Sequence, residues 1–451
     1  MSARPYVRVV RVLLATGAVL LVAACTVGPN YVRPSVATPA AFKETGHLVA
    51  PATAAVPVPG KWWAIYNDPA LDGLVSQVQL NNQSLAAAAA RVSEAQALVQ
   101  VAGGAAEPSV SAGTIKSGKK NRNDFGLGVV WELDVWGRIR RDVEAHRASA
   151  SASADDLAAA TLSMQGQVVQ AYFALRQYDA LIELLQNAVA VDTQWHRMVG
   201  NQYTQGIATS GGVAEALMRS STVQVQLADT RTARAQTEHA LAVMLGKAPA
   251  DFSVAPAPFT TVVPVIPADV PASLLERRPD IAASERRMAS ANARIGVAKA
   301  ERLPSISLAA GIGILKGPTA TPDIRAPLFA GGRLQAQETN ADAAYTEAVA
   351  NYRQTVLGAY REVEDSLVAA NLLAGTAELQ GKALSAAKES DRVTQNQYKE
   401  GVADYPAVVD AGNAALNAGQ ADLQLRLRRL NTSVNLIMAL GGNWRSADTH
   451  P

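Results

Sequence analysis

Residues Arg138 to Tyr203 read RIRRDVEAHRASASASADDLAAATLSMQGQVVQAYFALRQYDALIELLQNAVAVDTQWHRMVGNQY, with no proline anywhere in the run. Val168, Leu175, Ile182, Val189, His196 and Tyr203 fall at every seventh position. Met164, Ala171, Tyr178, Leu185, Asp192 and Val199 interleave with them at alternating steps of three and four. Apolar residues at a mean spacing of 3.5 form a coiled-coil seam, narrower than the face of a helix lying on a globular core. Only Asp192 and His196 interrupt it. A twin from Arg333 to Tyr398 keeps the same register through Val349, Val356, Val363, Ala370, Ala377, Leu384 and Asp391. At about 1.5 Å per residue, either helix would reach roughly 100 Å.

The rest of the chain is doubled around these two helices. Leu133, Gly137 and Arg138 match Leu328, Gly332 and Arg333 at a displacement of 195 residues. So do Gln202-Tyr203 with Gln397-Tyr398, Gly206 with Gly401, and Leu245-Gly246 with Leu440-Gly441. Leu85 and Pro108 match Ile281 and Pro304 at 196. Only mid-helix does the offset slip by one heptad, Ala171-Tyr172 matching Ala359-Tyr360 at 188. Removing seven residues in one place and restoring seven in another keeps both seam and length. A period this long is a duplicated half-protein, not a solenoid repeat.

Each half has the same order of elements: a shorter helix (Leu85 to about Val101; Ile281 to Arg302), a pair of strand-like segments, the long helix, a glycine-containing tip and a helix of middling length (Gly211 to Leu245; Pro406 to Leu440). The strand segments are Ser109–Lys116 with Phe125–Leu133, and Ser305–Leu315 with about Pro318–Leu328, the polar stretch Lys116–Asp124 being a loop. They read either as soluble hairpins capping the helices or as membrane strands of about 9–11 residues. Lipid tolerates only closed barrels, and four strands cannot close one, so the membrane reading requires an oligomer that pools its strands.

Bulk properties narrow the function. The chain has 451 residues, with 41 Lys and Arg against 39 Asp and Glu, a formal net charge of +2; that leaves no electrostatic footprint for nucleic acid. Beyond the amino terminus no run of eighteen apolar residues occurs, so any crossing of a membrane must use strands. Arg4, Arg8 and Arg11 precede the apolar run Val12–Val22, then Ala23 and Ala24, as in a secretory signal. The single cysteine, Cys25, follows directly. It is either a chance residue of a discarded leader or, as favoured here, the acceptor of a bacterial lipobox. S-diacylglycerol and N-palmitoyl groups at Cys25 would anchor the mature chain stably, as two acyl signals do and one does not. Thr26 in the next position favours the outer membrane. Prolines 29, 34, 39, 51, 57 and 59 make residues 25–60 an extended strap. The expected organisation is a signal peptide (1–24), the lipid-anchored strap (25–60), a first repeat (61–260), a second repeat (261–445) and a tail (446–451).

Several stretches together resemble acylated TolC-like outer membrane factors of the OprM/NodT type. They are Cys25-Thr-Val-Gly-Pro-Asn-Tyr with Arg33-Pro34; Trp62-Trp63 with Asp68-Pro69 and Leu71; Glu132-Leu-Asp-Val-Trp-Gly-Arg138; Leu274-Leu-Glu-Arg-Arg-Pro-Asp-Ile281; Leu303-Pro-Ser-Ile-Ser-Leu308; and Leu328-Phe-Ala-Gly-Gly-Arg333. The match covers nearly the whole chain. It implies a mainly α fold with a small β part, in which a homotrimer forms a twelve-stranded barrel above a coiled-coil α-barrel. It also implies a passive exit duct in the bacterial outer membrane, served by a periplasmic adaptor and an inner-membrane pump of the resistance-nodulation-division type. The tips Gly206-Ile207-Ala208 and Gly401-Val402-Ala403 match the adaptor contacts, and Tyr398 and Asp410, with Tyr203 in the first half, match aperture residues. Two departures stand out: Gly212 and Ala407 occupy positions where members of the family carry aspartate. Pro318, Pro322 and Pro327 also crowd one strand, where proline belongs at edges or bulges.

No catalytic constellation competes with this reading. The histidines at 47, 146, 196, 239 and 450 have no paired metal-ligand spacing, and Gly311–Gly317 lacks the helix a phosphate loop needs. Glu362, Glu364 and Asp365 read as a solvated helix face. Asp410 is either an exposed helical charge or, through trimer symmetry, one of a ring of carboxylates. The alternatives to an efflux duct are an exit duct for a protein or peptide secretion system and a lipid-anchored coiled-coil scaffold without a pore. No cofactor or metal is expected.

Overall fold

The computed structural model describes residues 26–44, 61–117, 122–266, 277–313, 317–442 and 444. The leader, Cys25, residues 45–60 of the strap, the Leu274–Glu276 part of its motif and the tail at 446–451 lie outside them. Seven helices are described: α1 (Pro69–Asn81), α2 (Gln83–Gly104), α3 (Arg138–Thr204), α4 (Ser210–Met244), α5 (Pro279–Ala300), α6 (Arg333–Lys399) and α7 (Tyr405–Ala439). The duplication is visible in their lengths. α2 and α5 have 22 residues each, α3 and α6 have 67, and α4 and α7 have 35. Two compact units divide the described residues. The first holds those up to Ala37 with Ala87–Leu157 and Pro279–Leu357; the second holds Thr38–Ala86, Ala158–Arg278 and the residues from Gly358.

The first unit contains the sheet. Strands β1 (Ser109–Ser117), β2 (Arg122–Leu133), β3 (Ser305–Gly313) and β4 (Gly317–Arg325) pair antiparallel in the order β1-β2-β3-β4. The first hairpin is longer than the residue types suggest. Pairing runs on to Ser117↔Arg122, because an antiparallel ladder continues through polar residues as readily as apolar ones. The last strand is shorter, stopping at Arg325 rather than Leu328. Its partner strand begins at Ser305, just after Pro304, so nothing remains for Ala326–Leu328 to pair with. Pro318 and Pro322 lie on β4, an edge strand, where a missing N–H interrupts no internal ladder.

The described strap residues of this unit, 26–37, have no regular structure and are pinned to its other elements. Val27 N donates to Trp136 O (3.0 Å), Arg141 donates to Asn30 Oδ1 (2.7 Å), Tyr31 to Glu285 Oε1 (2.6 Å) and Asn292 to Pro29 O (3.0 Å). Gly28, at φ +98, lies so close to Gly296 that a Cβ on it would come within 2.5 Å of the Gly296 Cα. Only glycine at both positions allows this approach.

In the second unit the heptad residues Val168, Leu175, Leu185, Asp192 and Val199 of α3 and Val363 of α6 are buried, while Ile182, Val189 and His196 are half-buried; in the first unit Val356 of α6 is buried. A 3-10 turn over Trp62–Tyr66 packs here, Trp62 donating to Gln165 Oε1 (3.1 Å). Asp68 then caps α1, a helix the heptad reasoning passes over, by accepting from Ala70 N and Leu71 N, with Pro69 in its first turn. The acidic face at residues 362–365 is only partly a solvated one. Glu362 accepts from the buried Arg278 (2.8 Å), and Glu364 accepts from the backbone N–H groups of Lys43 and Glu44. Those partners lie far off in sequence, so spacing along the helix could not reveal them.

Candidate functional site

Register sorts the sheet residues onto two faces, because cross-strand partners share a face and neighbours along a strand do not. One face carries Val110 and Ala112; Phe125, Leu127, Val129, Trp131 and Leu133; Ile306, Leu308, Ala310 and Ile312; and Ala320, Pro322 and Ile324. Phe125, Leu127, Trp131, Leu308, Ile312 and Ile324 are exposed. The other face carries Ser109, Ser111, Gly126, Gly128, Ser305, Ser307, Ala309, Gly311, Thr321, Asp323, Arg325 and Glu132, with Ile115 and Val130 as its large apolar positions. An exposed apolar face backed by a face of small and polar residues is the pattern of a membrane strand between lipid and lumen. Among the described residues, no helix is long and apolar enough to cross a membrane.

In the second unit the two tips are built alike. Gly206 N donates to Tyr203 O (2.9 Å) and Ile207 N to Gln202 O (2.9 Å); Gly401 N donates to Tyr398 O (3.0 Å) and Val402 N to Gln397 O (2.8 Å). Both glycines have φ +76. These are Schellman closures, which need a residue in the left-handed region. The next helix starts under a side-chain cap in each case, Thr209 Oγ1 accepting from Gly212 N and Asp404 Oδ1 from Ala407 N. So the chain places small residues at 212 and 407 in the first turn of capped helices. Ile207 and Val402 are left exposed at the apices, while Ala208 and Ala403 are half-buried.

Beside the tips lies a cluster of Trp195, Val199, Ala216, Tyr405, Val408 and Val409, with Tyr398 packed against it. Tyr398 stacks edge-on to Trp195 (ring centroids 5.3 Å apart) and donates its hydroxyl to Gln202 Oε1 (2.8 Å). That bond joins α3 to α6 within one chain. Burial pushes the Tyr405 hydroxyl up to about 12, which keeps it neutral. Asp410 and Tyr203 are exposed. The structure thus brings Tyr398 and the two tips into one region and leaves Asp410 and Tyr203 on the surface of a single chain.

A cross-link in this region escapes sequence reasoning. Arg219 on α4 donates from Nε to Asp192 Oδ1 on α3 (2.7 Å) and from Nη1 to Val409 O on α7. Asp192 is 2% exposed, and burial, more than Arg219 opposes it, pushes its carboxyl above the ordinary aspartate range. The one available signal was the carboxylate breaking the apolar seam; nothing in the spacing named its partner. Among the described residues, no three His, Cys, Asp or Glu side chains gather as a metal site.

The model of the family described as outer membrane efflux protein matches residues 74–247 and 270–442, one match to each half of the duplication. The chain belongs to this family. It is 30% identical to the pyoverdine export outer membrane protein OpmQ of Pseudomonas aeruginosa, over 95% of this chain and 96% of that protein. It is 26% identical to the cation efflux system protein CusC of Escherichia coli, over 94% and 97% respectively. Among solved structures it resembles the outer-membrane channel OprN (26% identity, TM-score 0.85, 94% of this chain and 100% of that one). It also resembles the open-state MtrE outer membrane channel of Neisseria gonorrhoeae (25% identity, TM-score 0.81, 94% and 100%). This outer membrane efflux protein therefore functions as an outer-membrane channel for export. The family and its relatives are channels rather than enzymes.

Proposed function

We propose that three copies of the chain form one passive exit duct, twelve strands closing a barrel and the helices lining the passage below. The observation that carries this reading is a set of unmatched surfaces. In the first unit the sheet has two free edges, β1 and β4, and an exposed apolar face. Lipid tolerates neither open edge, whereas a neighbour's strand satisfies both. In the second unit Leu372 and Leu379 on α6, and Met218 and Val225 on α4, are exposed pairs at heptad spacing. These are seams that the described residues of their own chain leave uncovered, as expected of helices that complete a coiled coil with a second copy.

The tips, with Ile207 and Val402 uncovered, are the surface for a periplasmic adaptor, and an inner-membrane pump of the resistance-nodulation-division type drives transport. Tyr398, Asp410 and Tyr203 border the aperture, where three copies of Asp410 make a carboxylate ring. Cargo choice resides in the pump, since the small, polar sheet face is chemically generic. Cys25 carries the acyl groups; Thr26, the next residue, packs against Gly137 at the junction of β2 and α3, so lipid on its neighbour would lie near the base of the sheet.

The purified, acylated protein should migrate as a heat-modifiable trimer and conduct in planar bilayers; a monomer without conductance overturns the reading. Asp410→Ala should raise single-channel conductance and admit large antibiotics to cells. Unchanged values would remove Asp410 from the aperture while leaving the duct intact. Cys25→Ser should abolish incorporation of labelled palmitate.

A further inference from the structure

On the small-residue face of the sheet, the register sets Arg122 and Asp124 at the far end of β2 and gathers the remaining charges at the base. Glu132, Ser307 and Asp323 form one cross-strand row there, and Arg325, opposite Ser305, falls in the next row on the same face. Each carboxylate has its own guanidinium. Arg138 donates to Glu132 through Nε (3.1 Å) and Nη2 (3.0 Å to each oxygen), and Arg325 Nε donates to Asp323 Oδ2 (2.8 Å). Just outside, Arg140 pairs with Asp134 (3.3 Å). Glu132, Asp134, Arg138, Glu301 and Arg325 converge on an open cleft of ≈ 460 Å³.

The start of a long helix does not by itself demand such a pair. Arg333 stands where Arg138 does, 195 residues on, and donates instead to the neutral Gln337 Oε1 (3.0 Å). A cation in the first turn opposes the helix dipole, so a carboxylate beside Arg138 relieves that repulsion. This leaves the Asp323–Arg325 pair, on an edge strand with no helix following directly, unexplained. What the two pairs share is their place: one end of one face of the sheet.

We propose that Glu132–Arg138 and Asp323–Arg325 form a charge-compensated collar at the base of the barrel, which sets the ion selectivity of this end of the duct. The inference rests on the trimeric barrel proposed above, with the small-residue face turned to the lumen. Rings of charged side chains select ions of opposite sign, and interleaving each carboxylate with a guanidinium cancels that field. Solutes of either charge then pass without being held.

Reversal potentials in planar bilayers under a KCl gradient test this. Arg138→Gln with Arg325→Gln uncovers the carboxylates and should raise the potassium-to-chloride permeability ratio about threefold or more at about 0.1 M salt. Glu132→Gln with Asp323→Asn should shift it the opposite way. Both shifts should shrink near 1 M, where the screening length falls to about 3 Å. Arg138→Lys with Arg325→Lys keeps the charge without the fork and should retain wild-type selectivity, which separates charge from packing. Conducting trimers of both charge-removing variants with wild-type reversal potentials overturn the collar. So does a lysine pair that shifts selectivity as far as the glutamine pair. A wild-type protein that never conducts overturns the duct itself.

Discussion

Gly441→Ala is expected to lose most of its folded, trimeric yield, with Gly246→Ala close behind. Each glycine ends a helix of middling length with a Schellman closure. Gly246 N donates to Val243 O (3.0 Å) and Lys247 N to Ala242 O (2.9 Å); Gly441 N donates to Met438 O (2.9 Å) and Gly442 N to Ile437 O (2.9 Å). Their φ values, +67 and +89, already strain any residue with a Cβ. The added methyl would also lie 2.0 Å from a main-chain oxygen, that of Asn81 beside Gly246 and that of Arg277 beside Gly441. Those two oxygens are themselves duplicates, 196 residues apart. A side chain could swing clear of such an overlap; a carbonyl held just before a helix cannot. Backbone strain of roughly 1–3 kcal/mol then adds to an overpacking cost of about 1–3 kcal/mol, against a total stability of order 5–15 kcal/mol.

The tip glycines provide the control. Gly206 and Gly401 share the positive φ, but nothing lies within 4 Å of an added Cβ. Gly206→Ala and Gly401→Ala should therefore cost only the conformational term, about 1–2 kcal/mol. Thermal unfolding of the four detergent-solubilised variants checks the order. If the tip variants melt as early as Gly441→Ala, the carbonyl contact is not the cause.

The Leu-Gly pair at these helix ends was legible as a repeat long before it had a reason, and that contrast marks what sequence can reveal. Patterns written along one helix came through. The heptads placed α3 and α6, the displacement of 195 paired the halves, and the strand-like segments of each half became the four strands with shifted ends. Contacts between distant segments did not. The strap bonds of Tyr31 and Asn30 join residues more than a hundred positions apart, and no periodicity encodes them. Glu362 and Glu364 looked solvated because their partners, Arg278 and the strap amides, belong to other elements. The helix α1 escapes the sequence pattern for a different reason. It is short and lies between the 3-10 turn at Trp62–Tyr66 and the start of α2 at Gln83, so the Asp68-Pro69 cap is its main signal.

The second large effect is expected at Arg219. Its guanidinium is the only charge donated to the buried Asp192 carboxylate among the described hydrogen bonds, and Asp192 Oδ2 has no partner. Gly412 makes room for it, since a Cβ there would overlap Arg219 Nη2. Arg219→Met should cost about 3–5 kcal/mol by leaving a buried anion uncompensated. The pair itself is worth far less than that, because desolvation offsets most of the attraction. Arg219→Met with Asp192→Leu should thus recover most of the lost stability, giving a strongly non-additive double-mutant cycle. What the double variant cannot recover is the tie from α4 to both α3 and Val409 O on α7. If that tie holds the tips in register, the recovered trimer should still show raised resting conductance.

Protonation supplies an independent check with a definite sign. The folded-state pKa of Asp192 is raised, burial being the larger cause, with Arg219 opposing it and Asp391 adding to it. The fold therefore holds this proton more tightly than the unfolded chain does. Its contribution is fully present below the unfolded value and is lost as pH rises through the folded one. Removing Arg219 removes the opposing attraction and raises the folded value further, so the deficit of Arg219→Met should shrink as the pH falls from neutral toward the ordinary aspartate range. Asp192→Asn, with no proton to bind there, should lack this acid rescue. A deficit in Arg219→Met that is flat over that fall in pH would mean that Asp192 is not buried as an anion, and the cross-link would then be no more than packing.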